Sequence, residues 1–237
     1  MVYGPFKMKR VAMIPARGGS KGVPRKNLQS IGGLSLVERS IQHALDAQIF
    51  DLIGVDSDDP EILALASKYP KICFWDRPAE LATDDAKTVD VLLNRTRYLA
   101  EQGAVFEWTY TFQPTIPFRS GPRIRDAVSK LEGSLFDSLT GLFEVGGIHP
   151  QRMNKLSQAA RVTSFIGDSF DFRPRQELEP LYLRSGWLYG IKTKLLLASE
   201  EMLTGEVLGF VNTDIESVNI DSGLDLEFAR FISEKHE

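Results

Sequence analysis

The chain has 237 residues, of which 43% are hydrophobic and 25% are charged, and its formal net charge at neutral pH is -4. This length allows one domain with a sizeable core, and the ordinary composition excludes a disordered or fibrous protein. The negative charge argues against a nucleic-acid-binding protein, but it leaves room for a small anionic ligand at a local basic site.

The first half of the chain alternates strand-like and helix-like segments. Residues 10–14 form a short apolar run that ends at Pro15 and a glycine-rich loop, which predicts a buried strand. Residues 52–55 and 108–112 predict two more strands. Apolar residues at helical spacing predict helices over 36–45, 60–68, 88–101 and 121–131. This rhythm predicts an α/β fold with a mostly parallel sheet and helices on both faces.

The second half of the chain is less regular. Residues 138–143 and 161–166 predict strands of a different kind, separated by polar stretches. We interpret residues 144–182 as an excursion from the main sheet that meets a partner subunit. The α/β pattern resumes at 186–191 and closes with a helix after Ser222.

Cysteine usage and hydropathy indicate the compartment. Cys73 is the only cysteine, so no intrachain disulfide can form. Residues 1–7 lack the apolar run of a signal peptide, and no stretch approaches the roughly 20 apolar residues of a membrane helix. The sequence therefore predicts a cytoplasmic protein with neither a membrane nor a nucleic acid as partner.

The most informative feature is a basic glycine-rich loop directly after the first predicted strand. Residues 17–26 contain four cations, three glycines and no acid. Glycines let the backbone approach a ligand, and successive N–H groups can form a concave anion site. A loop at the carboxyl end of a strand favours phosphate binding over a solvated surface turn. Its spacing matches neither a Walker A loop nor a G-x-G-x-x-G loop, which excludes kinase-type and dinucleotide-type sites.

Residues 15–27, which read PARGGSKGVPRKN, resemble the signature of the acylneuraminate cytidylyltransferases, the CMP-sialic acid synthetases. Further stretches match that family in the same order; they are 77–82, 113–119, 149–150, 173–176 and 219–221. The resemblance implies a single Rossmann-like nucleotidyltransferase domain over residues 1–237, with a dimerisation arm at about 144–182 and a homodimer. The implied reaction uses CTP and a nonulosonic acid sugar and yields a CMP-sugar and pyrophosphate.

The same resemblance implies roles for residues around the nucleotide. Arg17, Lys21 and Asp221 would be catalytic, and Asp221 with Asn219 would hold Mg²⁺. A helix cap is a compatible reading of Asp221, and Asp58 is a weaker candidate for assisting the metal. The residues implied to bind the nucleotide are Ser20, Lys26, Asn27, Arg77, Ala86 and Thr88.

Four residues are implied to bind the acceptor sugar. Gln113 follows a predicted strand, so its amide would lie at the ligand-binding edge of the sheet. Arg152 and Arg173 suit the acceptor's carboxylate and would reach it across a dimer interface, although both residue types are also common on surfaces. Tyr189 aligns with a tyrosine near the sugar and is equally compatible with a buried strand residue.

The sequence departs from the family pattern at several positions. Asn219 stands where many members have aspartate, which puts a two-carboxylate metal site in doubt. Ile116 and Phe118 replace serine and leucine, and Trp187 replaces a small residue close to the expected acyl-sugar pocket.

Two other functions compete with the synthetase. One is a nucleotidyltransferase of the same fold that uses another nucleotide or another acceptor. The other is a non-catalytic nucleotide-binding relative, which is compatible with an amide at Asn219 in place of a metal-binding carboxylate.

Overall fold

The computed structural model describes residues 7–236, so residues 1–6 of the segment inspected for a signal peptide lie outside the described residues. The strands are β1 (Lys7–Pro15), β2 (Ser30–Ile31), β3 (Leu34–Ser35), β4 (Leu52–Ser57), β5 (Cys73–Asp76), β6 (Val105–Thr111), β7 (Ser138–Glu144), β8 (Asn154–Leu156), β9 (Val162–Ser164), β10 (Tyr182–Lys192) and β11 (Val207–Val211). The α-helices are α1 (Leu36–Ala47), α2 (Pro60–Ala66), α3 (Thr88–Glu101), α4 (Gly121–Glu132), α5 (Thr193–Ser199) and α6 (Gly223–His236).

Seven of these strands form one sheet in the order β11-β7-β10-β6-β1-β4-β5. Strand β10 runs antiparallel to β6 and β7, and every other neighbouring pair in the sheet is parallel. The predicted α/β fold with a mostly parallel sheet and flanking helices is confirmed. Because β1, β4 and β6 are parallel neighbours, the loops after their carboxyl ends meet at one edge of the sheet.

Local sequence signals explain where the helices begin. Helix α1 starts at a capping box in which the Ser35 side chain accepts from the Glu38 amide and the Glu38 carboxylate accepts from the Ser35 amide. Helix α2 starts after Asp59, whose carboxylate accepts from the amide of Glu61, with Pro60 in the first turn. The predicted bounds 88–101 of α3 are those observed.

The second half contains the largest differences from the predicted elements. The segment Val162–Ser164 pairs with β8 in a small hairpin outside the main sheet, as an excursion implies, whereas β7, which was predicted to be a strand of the same different kind, belongs to the main sheet. Strand β10 begins at Tyr182, four residues before the predicted 186–191. Edge strands β5 and β11, of four and five residues, were not predicted, although both are largely apolar in sequence.

The bulky residue that departs from the family pattern belongs to the core. Trp187 is fully buried and its ring stacks on Phe210 at a centroid distance of 5.4 Å. Ile116 and Phe118 are buried as well. These three substitutions therefore alter core packing rather than the lining of the cavity described below. Within residues 7–236, no helix has the length and apolar character required to span a bilayer.

Candidate functional site

A cavity of about 380 Å³ opens at the carboxyl ends of β1 and β6, as expected for the ligand-binding edge of this sheet. The structure brings most of the predicted site residues together in its walls; these are Arg17, Ser20, Lys26, Asn27, Arg77, Ala86, Thr88, Gln113, Asn219 and Asp221. Their assembly from five separate stretches of sequence is a tertiary result. What each residue binds stays a prediction.

Two cations of the glycine-rich loop converge on one point. Arg17 Nη1 lies 2.8 Å from one carboxylate oxygen of Asp84, and Lys21 Nζ lies 2.9 Å from the other. The hydrogen bond from Lys21, with a further one from Arg17, lowers the pKa of the Asp84 carboxyl, so this group is ionised at neutral pH. Lys21 is exposed and lies at the rim, outside the cavity lining. Arg17 and Lys21 can thus hold an anion between them. In this structure that anion is the carboxylate of Asp84, a residue that the sequence did not single out.

The rest of the loop packs against the segment that precedes α6. A methyl group added at Gly22 would overlap the carbonyl oxygen of Asp221. Lys26 Nζ donates to the carbonyl oxygen of Ile220 at 2.7 Å and pairs with Asp221 Oδ1 at 3.1 Å. Asn27 Nδ2 donates to the carbonyl oxygen of Arg17 at 2.8 Å. The loop and the metal candidate Asp221 are therefore held at a fixed separation.

Not every cation of the loop faces the cavity. Arg25 has a left-handed backbone, with φ 50°, and its guanidinium pairs with Asp59 and Glu61 at 3.2 and 2.9 Å. Asp58, the weaker metal candidate, accepts a hydrogen bond from the Gly18 amide at 2.9 Å and lies outside the cavity lining. Its observed contact is with the backbone of the loop.

Arg77 is buried, although it lies in the loop that follows β5. Its Nε donates to Asp56 Oδ1 at 2.6 Å, and Asp56 accepts a second arginine, Arg95, through Oδ2 at 3.0 Å. Asp56 was missed in the sequence. A carboxylate inside the apolar run of β4 was the available signal, because a buried charge requires a partner.

Gln113 is fixed from two sides. Its Oε1 lies against the Cα of Gly186 so closely that an added methyl group there would overlap it. The buried guanidinium of Arg119 donates to the carbonyl oxygens of Gln113, Ile116, Gly186 and Trp187. Burial lowers the pKa of Arg119 to about 9, which still leaves it protonated at neutral pH. The turn after β6 is therefore pinned to β10.

Asn219 and Asp221 are the residues predicted to hold the metal, and they are in contact. Asn219 Nδ2 donates to Asp221 Oδ2 at 2.5 Å, and the Asp221 side chain is 69% exposed. In residues 7–236 no group of three or more His, Cys, Asp or Glu side chains is placed to hold a metal ion. The chain thus offers one carboxylate and one amide at this point.

The remaining predicted sugar residues lie elsewhere. Arg152 Nη2 donates to the carbonyl oxygen of Arg173 at 3.0 Å, and Arg173 pairs with Asp171 at 2.7 Å, all within the excursion. The Tyr189 ring is partly buried on β10, and burial raises the pKa of its hydroxyl. None of the three residues Arg152, Arg173 and Tyr189 lines the cavity within one chain, and their contact with a sugar stays a prediction.

Known proteins of similar sequence are cytidylyltransferases and a CMP-sugar synthase. The family model described as "Cytidylyltransferase" matches residues 11–160. The pseudaminic acid cytidylyltransferase of Campylobacter jejuni subsp. jejuni is 30% identical over 226 residues, which are 95% of this chain and 96% of that protein. The CMP-N,N'-diacetyllegionaminic acid synthase of Legionella pneumophila is 26% identical over 222 residues, covering 92% and 93% of the two chains.

A solved structure has the same fold. The CMP:2-keto-3-deoxy-manno-octonic acid synthetase, solved in complex with CTP, superposes with a TM-score of 0.68 over 97% of this chain and 100% of that chain. At 16% identity this similarity concerns the fold alone.

Proposed function

We propose, because this chain belongs to the cytidylyltransferase family, that it joins CMP from CTP to the anomeric hydroxyl of a nonulosonic acid sugar and releases pyrophosphate. The observation that carries the proposal is the convergence of Arg17 and Lys21 on one anionic point, with Arg77 in the cavity wall and Asp221 against the loop. Relatives named for pseudaminic and legionaminic acid support a nonulosonic acceptor.

The proposed reaction depends on charge and positioning. The anomeric oxygen forms a bond to the α-phosphorus, the bond from that phosphorus to the bridging oxygen breaks, and the hydroxyl proton passes to solvent. Pyrophosphate leaves with the electron pair. Arg17 and Lys21 would stabilise the negative charge that grows on the leaving phosphates. Ser20, Lys26 and Asn27 would hold the rest of the triphosphate against the loop.

The base would lie between Arg77 and the start of α3. Ala86 and Thr88 line this side of the cavity and are small enough to form a close wall for a flat ring. Cytosine presents two acceptors, O2 and N3, to a guanidinium donor. Arg77 is therefore the residue to which we assign recognition of the base.

Asp221 and Asn219 would hold Mg²⁺, which when bound would neutralise phosphate charge. One carboxylate is sufficient when the triphosphate and waters supply the remaining oxygens, as is common for this ion. The residues therefore fit an ion that arrives with the nucleotide. Coordination by the Asn219 amide requires its oxygen, so the side chain would have to turn and break its present hydrogen bond to Asp221.

The acceptor would bind next to Gln113, and a homodimer would complete its site. The excursion at about 144–182 exposes large apolar side chains, and such a surface is typical of a protein interface; these side chains are Ile148, Leu156, Phe165, Phe170 and Phe172. A partner's excursion would bring Arg152 and Arg173 to the sugar carboxylate. Because the reaction consumes CTP, we propose that it takes place in the cytoplasm, within a single domain formed by residues 1–237.

The direct test is pyrophosphate release from CTP and Mg²⁺ with a panel of acceptors. The panel contains N-acetylneuraminic, legionaminic, pseudaminic and deaminated nonulosonic acids, with a 3-deoxy-octulosonic acid as the shorter control. We expect release with one of the nine-carbon acids. A folded protein that releases none with any of them overturns the proposal. Thermal shifts with CTP, UTP, GTP and ATP distinguish a CTP-using enzyme from a transferase that uses another nucleotide, because the nucleotide that binds raises the melting temperature most.

Asp84 should compete with the triphosphate for its two cations. We expect Asp84→Asn to bind inorganic tripolyphosphate about three-fold more tightly than the wild type, because an internal carboxylate no longer occupies Arg17 and Lys21. The gain should shrink at high salt, since both ion pairs are solvent-exposed. Titration calorimetry at two ionic strengths measures it. Asp85→Asn is the matched control, because Asp85 is exposed and has no ion pair within the described residues. Equal or weaker binding by Asp84→Asn would contradict this competition.

A further inference from the structure

A buried carboxylate lies directly behind Arg77. Asp56 is next to last in β4, and its side chain is 4% exposed. Its Oδ1 accepts from Arg77 Nε at 2.6 Å, and its backbone carbonyl accepts from Arg77 Nη2 at 2.7 Å. Two bonds in different directions fix both the position and the plane of the guanidinium.

Asp56 is itself held by Arg95. Arg95 Nε donates to Asp56 Oδ2 at 3.0 Å, and its guanidinium carbon lies 5.0 Å from the ring centroids of both Trp75 and Tyr98. The Trp75 ring lies over Gly54, where an added methyl group would overlap it. Arg95 does not line the cavity. The rings of Trp75 and Tyr98 therefore contact Arg95, Arg95 holds Asp56, and Asp56 holds Arg77 in the cavity wall.

These contacts leave part of Arg77 available to a ligand. An arginine has five N–H donors, and the bonds to Asp56 use Nε and one donor of Nη2. Within residues 7–236, no hydrogen bond from Nη1 is found, and Arg77 lines the cavity. A guanidinium that is locked on one edge and open on another is suited to read a ring with fixed acceptors.

We propose that Asp56, supported by Arg95, is a positioning residue that sets the preference for cytosine by fixing Arg77. This inference rests on the proposed function, which assigns Arg77 to the base. Cytosine has an acceptor at N3, whereas uracil has a donor there, so a fixed N–H donor favours cytosine. A guanidinium that can rotate away loses this preference, although the phosphate loop keeps its own contacts.

The test measures equilibrium binding of CTP, UTP and inorganic tripolyphosphate. For Asp56→Asn we expect the Kd of CTP to rise roughly ten-fold and its ratio to the Kd of UTP to approach one, because the variant loses a charged hydrogen bond to Arg77. The Kd of tripolyphosphate should stay within two-fold of the wild type. Arg95→Gln should change the CTP preference in the same direction, by about three-fold, without altering any residue of the cavity.

Glu132→Gln is the matched control for lost stability. Glu132 is a largely buried carboxylate that accepts from Arg10 and Tyr110, away from the cavity lining. We expect a lower melting temperature and an unchanged preference for CTP. A purely structural role for Asp56 would give this same pattern.

The outcomes separate the two proposals. A wild-type protein without preference for CTP over UTP overturns the proposed function before any variant is compared. If the wild type prefers CTP and folded Asp56→Asn and Arg95→Gln keep that preference in full, the positioning role is overturned. If Asp56→Asn does not fold, Arg95→Gln alone decides, because it leaves both Asp56 and Arg77 in place.

Discussion

Replacing Gly22 by alanine should reduce kcat/KM for CTP by at least about 100-fold while the protein stays folded. The added methyl group would overlap the carbonyl oxygen of Asp221, and a backbone atom cannot turn aside as a flexible side chain can. The loop with Arg17 and Lys21, or the segment with Asp221, must therefore move. A shift of about 1 Å between groups that act on one reacting centre is enough for such a loss. Steady-state pyrophosphate release, with a melting curve for each protein, measures it.

Gly223→Ala is the control for Gly22→Ala. Gly223 lies two residues after Asp221, and an added methyl group there meets no atom within 4 Å. We expect turnover within two-fold of the wild type, since alanine also suits the first turn of α6. Equal activity in the two variants would show that the packing of the loop on Asp221 has no role in catalysis.

Replacing Asp221 by asparagine should lower kcat by about 100-fold or more, because it removes the one carboxylate of the proposed Mg²⁺ site. The half-saturating Mg²⁺ concentration should rise. The charge is removed with little change of shape, and the bond from Lys26 to the carbonyl oxygen of Ile220 is independent of it. Asn219→Asp should act in the opposite direction on Mg²⁺ affinity, since it adds a second carboxylate.

Asp214→Asn is the matched control for Asp221→Asn. Asp214 is an exposed aspartate in the same stretch before α6, and its side chain makes no capping hydrogen bond. It should leave kcat and the Mg²⁺ requirement unchanged. Wild-type turnover and an unaltered Mg²⁺ requirement in Asp221→Asn would remove this residue from the metal site.

Some of the cavity was predictable because its signals are local. The loop from Arg17 to Lys26 is contiguous, and its glycines and cations are recognisable without a partner. The bounds of α3 follow from apolar periodicity. The resemblance of the matching stretches to one family implied that Gln113 and Asp221 would lie at the same site.

Other parts depend on contacts between distant residues. Lys26 and Asp221 are 195 positions apart, and Asp56 meets Arg95 across 39 positions. Asp84 was missed for the same reason, since the residues next to an acid in a polar loop do not indicate which distant cations it will pair with. The direction of strand β10 also depends on distant contacts. It runs antiparallel to β6 and β7 because of the path that the preceding chain takes.

The sequence by itself determined the α/β class, the basic glycine-rich loop and the family, because strand and helix periods and a contiguous motif are properties of neighbouring residues. Only the tertiary structure decided three contacts. Asp56 holds Arg77 by a hydrogen bond, Asp84 forms ion pairs with Arg17 and Lys21, and Gly22 packs on Asp221. These are pairings between side chains and backbone far apart in the chain, and packing selects one partner among many chemically equivalent ones.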